Sequence, residues 1–434
     1  MSKKIALKSL LLLITTATII LYVCGLLCWQ VSFAMIAILF AVSKFEDWIA
    51  YTVYLSLFSC ASPLFQYTFV LLVFSCAAKY FFDVKKNKKQ FYATEFLFSM
   101  LIVLIWTANF RIINMQGFYQ WRQITSIIFL VYFIYIYNKE INIKKCFYYM
   151  YFAIAISLVV GLIFTKNNYM ISQIFFDTEK QRLQLFTSNP NSLAIYCSFG
   201  IAFLITMLMR QLKVQNWKNV FFSFKFVTGF VIIVIITLLG IFTLSKAFLI
   251  IFNFIIVYLI LFLLKHFKLK SIPFVALILL LVYSIQFAFS NEFSKIIQRV
   301  LSSGGSETIY EFLNNFFTQR PSIWHAYIQD TLQSVVNLLF GVGLLSAPLE
   351  ISPHSAYIYI LHIFGLVGIM FLLILTMFYL KHSSKKPKLV WSNALMLIVF
   401  LFLGGVEVVL VERVFLLGVL SFLMILKDAD DKKE

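Results

Sequence analysis

Charge is scarce in this chain. Only 12% of its 434 residues are charged and 62% are hydrophobic, where soluble domains carry about 25% and about 45–50%. No single water-soluble core could hide that much apolar surface, so a soluble globular fold is excluded. Glycine and proline are also few, 15 and 7 residues, which excludes collagen-like and linker-rich chains. The cysteines Cys24, Cys28, Cys60, Cys76, Cys146 and Cys197 lie in or beside apolar runs. The one long hydrophilic stretch has none, so no disulfide framework is laid out. No Cys/His spacing suits zinc, no glycine-rich loop would cradle a phosphate, and no Ser-His-Asp order appears. The expectation is a protein with no metal and no cofactor.

What the chain does have is long apolar runs, with Phe alone supplying 50 residues. A membrane-crossing helix needs about 20 mostly apolar residues. Such runs occur at 10–28, 31–43, 48–65, 67–82, 95–112, 123–137, 146–164, 190–209, 226–243, 247–264, 271–289, 354–380, 389–405 and 407–426. They predict an all-α polytopic membrane protein of about 12–14 transmembrane helices. Residues 1–289 carry spans with short loops, 290–352 form one long hydrophilic loop, 353–426 carry the last spans, and 427–434 form a tail.

The formal charge of +18 is not a nucleic-acid patch. It sits in short clusters between the apolar runs: Lys3, Lys4 and Lys8, then Lys85 to Lys89, Lys139 to Lys145, Arg210 to Lys225, Lys265 to Lys270, Lys381 to Lys388 and Lys427 to Lys433. Clustered lysines mark cytoplasmic loops. With the N-terminus in the cytoplasm and strict alternation, every dense cluster falls inside, and so does the tail. The first apolar run follows a basic start but no small-residue cleavage site, so it reads as a retained anchor.

On this map the 290–352 loop is external. Ser306 can cap a helix opening at Glu307, and Pro321 suits the first turn of a second. Helices are expected near 306–318 and 321–335. Ile323, Trp324, Tyr327, Ile328 and Leu332 would line one side of the second.

Three outer stretches carry unusual residues. The first runs from Arg182 through Asn189-Pro190-Asn191 to Ala194. Asn189 can cap the next helix and Pro190 can open it, while Arg182 and free helix amides would suit an anion. The second is Leu244-Ser245-Lys246-Ala247, whose lysine either snorkels to the interface or faces an anionic ligand. The third holds Gln319-Arg320 to Trp324, then Asn337 to Gly343, then Ser352-Pro353-His354 to Tyr357. With Ser352 as cap and Pro353 as first helical residue, His354 would sit in a first turn. The positive dipole end there disfavours imidazolium, and a neutral imidazole can accept a proton. His362, two turns deeper, reads as a packing residue. The outer carboxylates, Asp330 among them, read as solvated, with Glu350 as a reserve base.

In this order the three stretches resemble the O-antigen ligase and polymerase family of bacterial envelope glycosyltransferases. The matching features are Arg182 with Asn189-Pro190-Asn191, Ser245-Lys246, Arg320 with Trp324, Phe340-Gly341-Val342-Gly343, His354, and Gly365 with Gly368. Lys246 stands where the family has arginine, and Ser355 where it usually has asparagine. The resemblance covers about Arg182 to Phe371 and implies a C-type membrane glycosyltransferase architecture in a bacterial cytoplasmic membrane.

It further implies a metal-independent polymerase working on the outer face. Glycan would pass from polyprenyl diphosphate to a sugar hydroxyl of a lipid-linked repeat unit. His354 and Arg320 would be catalytic, and Arg182, Lys246, Asn189 and Asn191 would bind substrate. Partners would be the lipid-linked glycan donor and acceptor, membrane lipid, and flippase and chain-length regulator proteins. A ligase differs only in its acceptor. A lipid-linked-oligosaccharide flippase is the alternative from another class, and it predicts charges along a midplane path.

Overall fold

The computed structural model describes residues 3–85, 136–164, 169–177, 182–187, 189–214, 223–267, 319–343, 353–382, 391–406 and 412–427, with isolated positions at 126–134 and 276–314. The expected spans at 95–112, 123–137 and 271–289 and the loop helix near 306–318 lie wholly or mostly outside these residues.

The helices are α1 (Lys3–Val23), α2 (Trp29–Ala41), α3 (Phe45–Ser56), α4 (Ser62–Lys85), α5 (Ile143–Phe164), α6 (Tyr169–Phe175), α7 (Pro190–Val214), α8 (Phe224–Phe242), α9 (Lys246–Phe267), α10 (Arg320–Leu332), α11 (Val335–Phe340), α12 (Ala356–His382), α13 (Trp391–Val406) and α14 (Glu412–Lys427). Among the described residues, strands occur only as a two-residue pair, β1 (Phe176–Asp177) antiparallel to β2 (Arg182–Leu183).

Three of these helices, α5, α7 and α9, are long and apolar enough to cross a membrane. The protein is a helical membrane protein. Helix α7 is the hub, packed against α5, α8, α9, α13 and α14. Its most apolar window is 78% buried, against 39% for α5 and 44% for α9, so α7 is enclosed by protein while the other two border the outside. On α9 the exposed side is itself apolar. Ile250, Phe254, Val257, Leu261 and Leu264 recur at helical spacing and are all exposed. Facing water, each would forfeit roughly half of the about 1.5–3 kcal/mol that full burial is worth; facing lipid, none does.

One expected span is shortened. The run at 48–65 becomes α3, of 12 residues, about 18 Å long and too short for a hydrocarbon core of about 30 Å. Ser56 gives its hydroxyl proton to the Val53 carbonyl and accepts from Tyr196 on α7. The chain then turns through buried Leu57, Phe58 and Ser59, and Cys60 N–H donates to the Phe186 carbonyl. Backbone bonding to a distant loop replaces the last turns of the helix.

Ionic contacts gather at the opposite end. The buried Asp47 carboxylate at the start of α3 accepts from Lys8 of α1 at 2.6 Å and from Lys145 of α5. Lys79 of α4 pairs with Asp83 and Glu140. Alternation puts all of these on one side of the bilayer, and their contacts agree with it. The positive-inside pattern alone says that this side is cytoplasmic.

Candidate functional site

The first two unusual stretches are fastened together by Arg182. Its backbone is fixed by pairing with Asp177, and its side chain is buried. Nε donates to the Thr243 carbonyl at 2.7 Å and Nη2 donates to Asn191 Oδ1 at 2.8 Å. Thr243 ends α8 just before Leu244-Ser245-Lys246, and Asn191 lies in the first turn of α7. One side chain therefore holds the loop, a helix start and the α8–α9 turn in register. As expected, Asn189 caps α7: its Oδ1 accepts from Ser192 N–H at 2.8 Å, with Pro190 as first residue.

Lys246 opens α9. A cation in a first turn works against the helix dipole, so helix stability does not account for it. Replacing Arg182 with lysine keeps the charge but loses the fork that makes two divergent bonds. The expected cost is about 2–4 kcal/mol, the loss of two charge-assisted bonds moderated by relaxation. Thermal unfolding in detergent measures it, and a wild-type midpoint would show that these bonds do not hold the loop.

The third stretch forms a second unit. Helix α10 begins at Arg320 with Pro321 next, close to expectation. Its start is held by Asn314, whose Oδ1 accepts from Ser322 N–H at 3.1 Å. The packing side of α10 is Trp324, Tyr327 and Thr331; Leu332, expected on that side, is 58% exposed. Trp324 Nε1–H donates to the Pro353 carbonyl at 2.7 Å. That bond ties α10 at Trp324 to the residue that precedes His354.

His354 is not in a first helical turn. Helix α12 begins at Ala356, the first helical N–H donates to the Ser355 carbonyl from Tyr359, and His354 has φ +48°. The reason is visible in the contacts. The Trp324 indole occupies the Pro353 carbonyl, and the left-handed His354 breaks the path that would carry the helix back to Pro353.

Below this, α12 is itself broken at Gly365 (φ +60°, ψ −167°). The Phe340-Gly341-Val342-Gly343 turn docks into the break. Val342 N–H donates to the His362 carbonyl at 2.7 Å. A Cβ on Gly341 would lie 2.2 Å from the Ile363 carbonyl oxygen, and a Cβ on Gly365 would lie 2.5 Å from Gly341 N. The two glycine motifs are thus the two sides of one backbone contact.

Among the described residues, the main packing contacts do not join the Arg182 unit directly to the third-stretch unit. They are linked through α13, which packs on α7, α9 and α12, with Tyr357 O–H donating to the Leu401 carbonyl at 2.6 Å. Backbone strain marks both units. Among the described residues, the non-glycine positions with left-handed φ are Leu185, Leu244, Gln319 and His354. Each falls in one of the motif stretches. Such positions cost of order 1–3 kcal/mol and cluster at functional sites.

Asp330, expected to be solvated, and His362, expected only to pack, face each other. Asp330 is half-buried, and its Oδ2 is buried 3.8 Å from the His362 ring Nε2. Burial, and then the Asp330 carboxylate, push the neighbouring Tyr327 phenol above its ordinary range. The available signal was an Asp-Thr pair on the packing side of an amphipathic helix, together with a histidine inside an apolar span. No family model, curated protein or solved structure matches this chain.

Proposed function

We propose that the chain is a membrane glycosyltransferase that polymerises a lipid-linked repeat unit on the outer face of a bacterial cytoplasmic membrane. The observation that carries this reading is the coincidence of strain and motif. Leu185, Leu244, Gln319 and His354, the left-handed non-glycine residues described, all sit in the stretches that resemble the O-antigen polymerase and ligase family. The Trp324–Pro353 bond, which ties α10 to the residue before His354, supports it further.

In the proposed reaction the acceptor hydroxyl oxygen attacks the anomeric carbon of the donor glycan. A new glycosidic C–O bond forms as the bond to the diphosphate oxygen breaks. His354 takes the hydroxyl proton. The departing polyprenyl diphosphate gains negative charge, which Arg320 stabilises through a bidentate contact. Lys246 adds positive charge, and Arg182 both contributes charge and positions Asn191. Asn189 is committed to its cap, so its part is to shape the loop.

The test is incubation of purified protein with a polyprenyl-diphosphate repeat unit, followed by gel analysis of glycan length. A ladder is the expected result. Single transfer to a different lipid acceptor would make the protein a ligase. No covalent change, with movement of the lipid across a vesicle membrane, would replace the transferase reading with a transporter.

A further inference from the structure

His362 lies six residues into α12, about 9 Å below its start, and it is 2% exposed. An ionisable group inside a span is costly and calls for a partner. Three partners come from α10. The ring packs edge-on against Tyr327 with centroids 4.8 Å apart, Nδ1 is 3.3 Å from Thr331 Oγ1, and Nε2 is 3.8 Å from Asp330 Oδ2.

Counting protons assigns the tautomer. Thr331 has one hydroxyl proton, and it goes to the Tyr327 carbonyl at 2.8 Å. Toward His362 the Thr331 oxygen can then only accept, so Nδ1 carries the ring proton. In a neutral ring Nε2 therefore presents its lone pair to Asp330. Asp330 Oδ2 is buried and has no hydrogen-bond partner. Two acceptors face each other across 3.8 Å, beyond hydrogen-bond reach. One added proton converts this opposition into a short charge-assisted bond.

We propose that Asp330 and His362 form a one-proton site, and that the proton bound there clasps α10 to α12. Among the described residues, the other titratable groups near the pair are Tyr327 on α10 and Tyr359 on α12, and α11 and α13 contribute none. Arg320 and Trp324 ride on α10, and His354 leads into α12. The clasp is thus a positioning device for the cation relative to the base. That consequence rests on the transferase reading; the clasp itself does not.

Asparagine separates proton sharing from packing. At position 330 it has the shape of aspartate, and its amide N–H can donate to Nε2 with no added proton. Hydrogen–deuterium exchange of α10 peptides is measured on the full-length protein in nanodiscs. Asp330→Leu should speed exchange about tenfold or more, the scale of a lost bond to a charged group. Asp330→Asn should stay within about threefold of wild type. In a His362→Leu background the two substitutions should become equivalent. Should the leucine variant not fold, Asp330→Ala makes the same comparison. Equal exchange for Asn and Leu with His362 present overturns the clasp.

A transfer assay on the same variants tests the consequence separately. Asp330→Asn should keep turnover, and the leucine or alanine variant should lower kcat more than it raises KM. If exchange behaves as stated but turnover follows none of the variants, the positioning role falls and the clasp stands. If wild type shows no transfer at all, the exchange arm still decides the clasp.

Discussion

His354→Ala is expected to slow glycan transfer by about 10²- to 10⁴-fold, the scale of a lost general base, with the thermal midpoint of the wild-type protein. His354 is held in a left-handed conformation just ahead of α12, and the residue before it is fixed by the Trp324 indole. A histidine with no further job would relax out of that conformation by extending the helix. Arg320→Lys should also be impaired, by about tenfold or more, because an ammonium cannot make the bidentate phosphate contact. Rates are read from the lipid-linked repeat-unit assay at saturating and limiting donor. Full activity in His354→Ala would remove it as the base.

Gly365→Ala is expected to abolish folded protein or to detach α11 from α12. At φ +60° and ψ −167° the backbone is in a region that is essentially glycine-only. The added Cβ would also lie 2.5 Å from Gly341 N and from the Leu339 carbonyl oxygen. Neither neighbour is a flexible side-chain tip, so relief means moving a backbone. Conformational strain of about 1–3 kcal/mol and overpacking of about 1–3 kcal/mol together reach about 2–6 kcal/mol, a large share of a domain's stability of about 5–15 kcal/mol. Gly341→Ala should fail in the same way, and the pair should not be additive because both act on one contact. Gly229→Ala is the control. Its Cβ would meet nothing within 4 Å, so it should be neutral or slightly stabilising. Yield of monodisperse protein and the thermal midpoint decide between these outcomes. A Gly365→Ala protein as stable as wild type would show that the contact is not needed.

Local features of the fold were readable because they depend on near neighbours in the chain. Pro190 after Asn189 and Pro321 after Arg320 open α7 and α10 where capping rules place them. Helices α5, α7, α8 and α9 follow the apolar runs at 146–164, 190–209, 226–243 and 247–264 within a few residues. The misplacements have long-range causes. Helix α3 stops at Ser56 because the next residues bond to Phe186, far along the chain. Helix α12 starts late because the left-handed backbone at His354 interrupts it, next to a Pro353 carbonyl that accepts from an indole on α10. Leu332 was expected to pack and is exposed, while Thr331 beside it is buried, because α10 turns toward His362.

By itself the sequence determined that this is a helical membrane protein, and its clustered lysines carry the expectation of an orientation with an external loop between the late spans. It also singled out Arg182, Lys246, Arg320 and His354. Hydropathy, loop charge and caps act over one or two helical turns, so a linear reading captures them. Only the tertiary structure decided which of these residues meet. It committed Arg182 to Thr243 and Asn191, joined Gly341 to Gly365, and set Asp330 against His362. Phe, Leu and Ile fill nearly every interface here and carry little pairing information. The pairings are settled by a few buried or half-buried polar groups and two bare backbones that have to be satisfied within the packed helices.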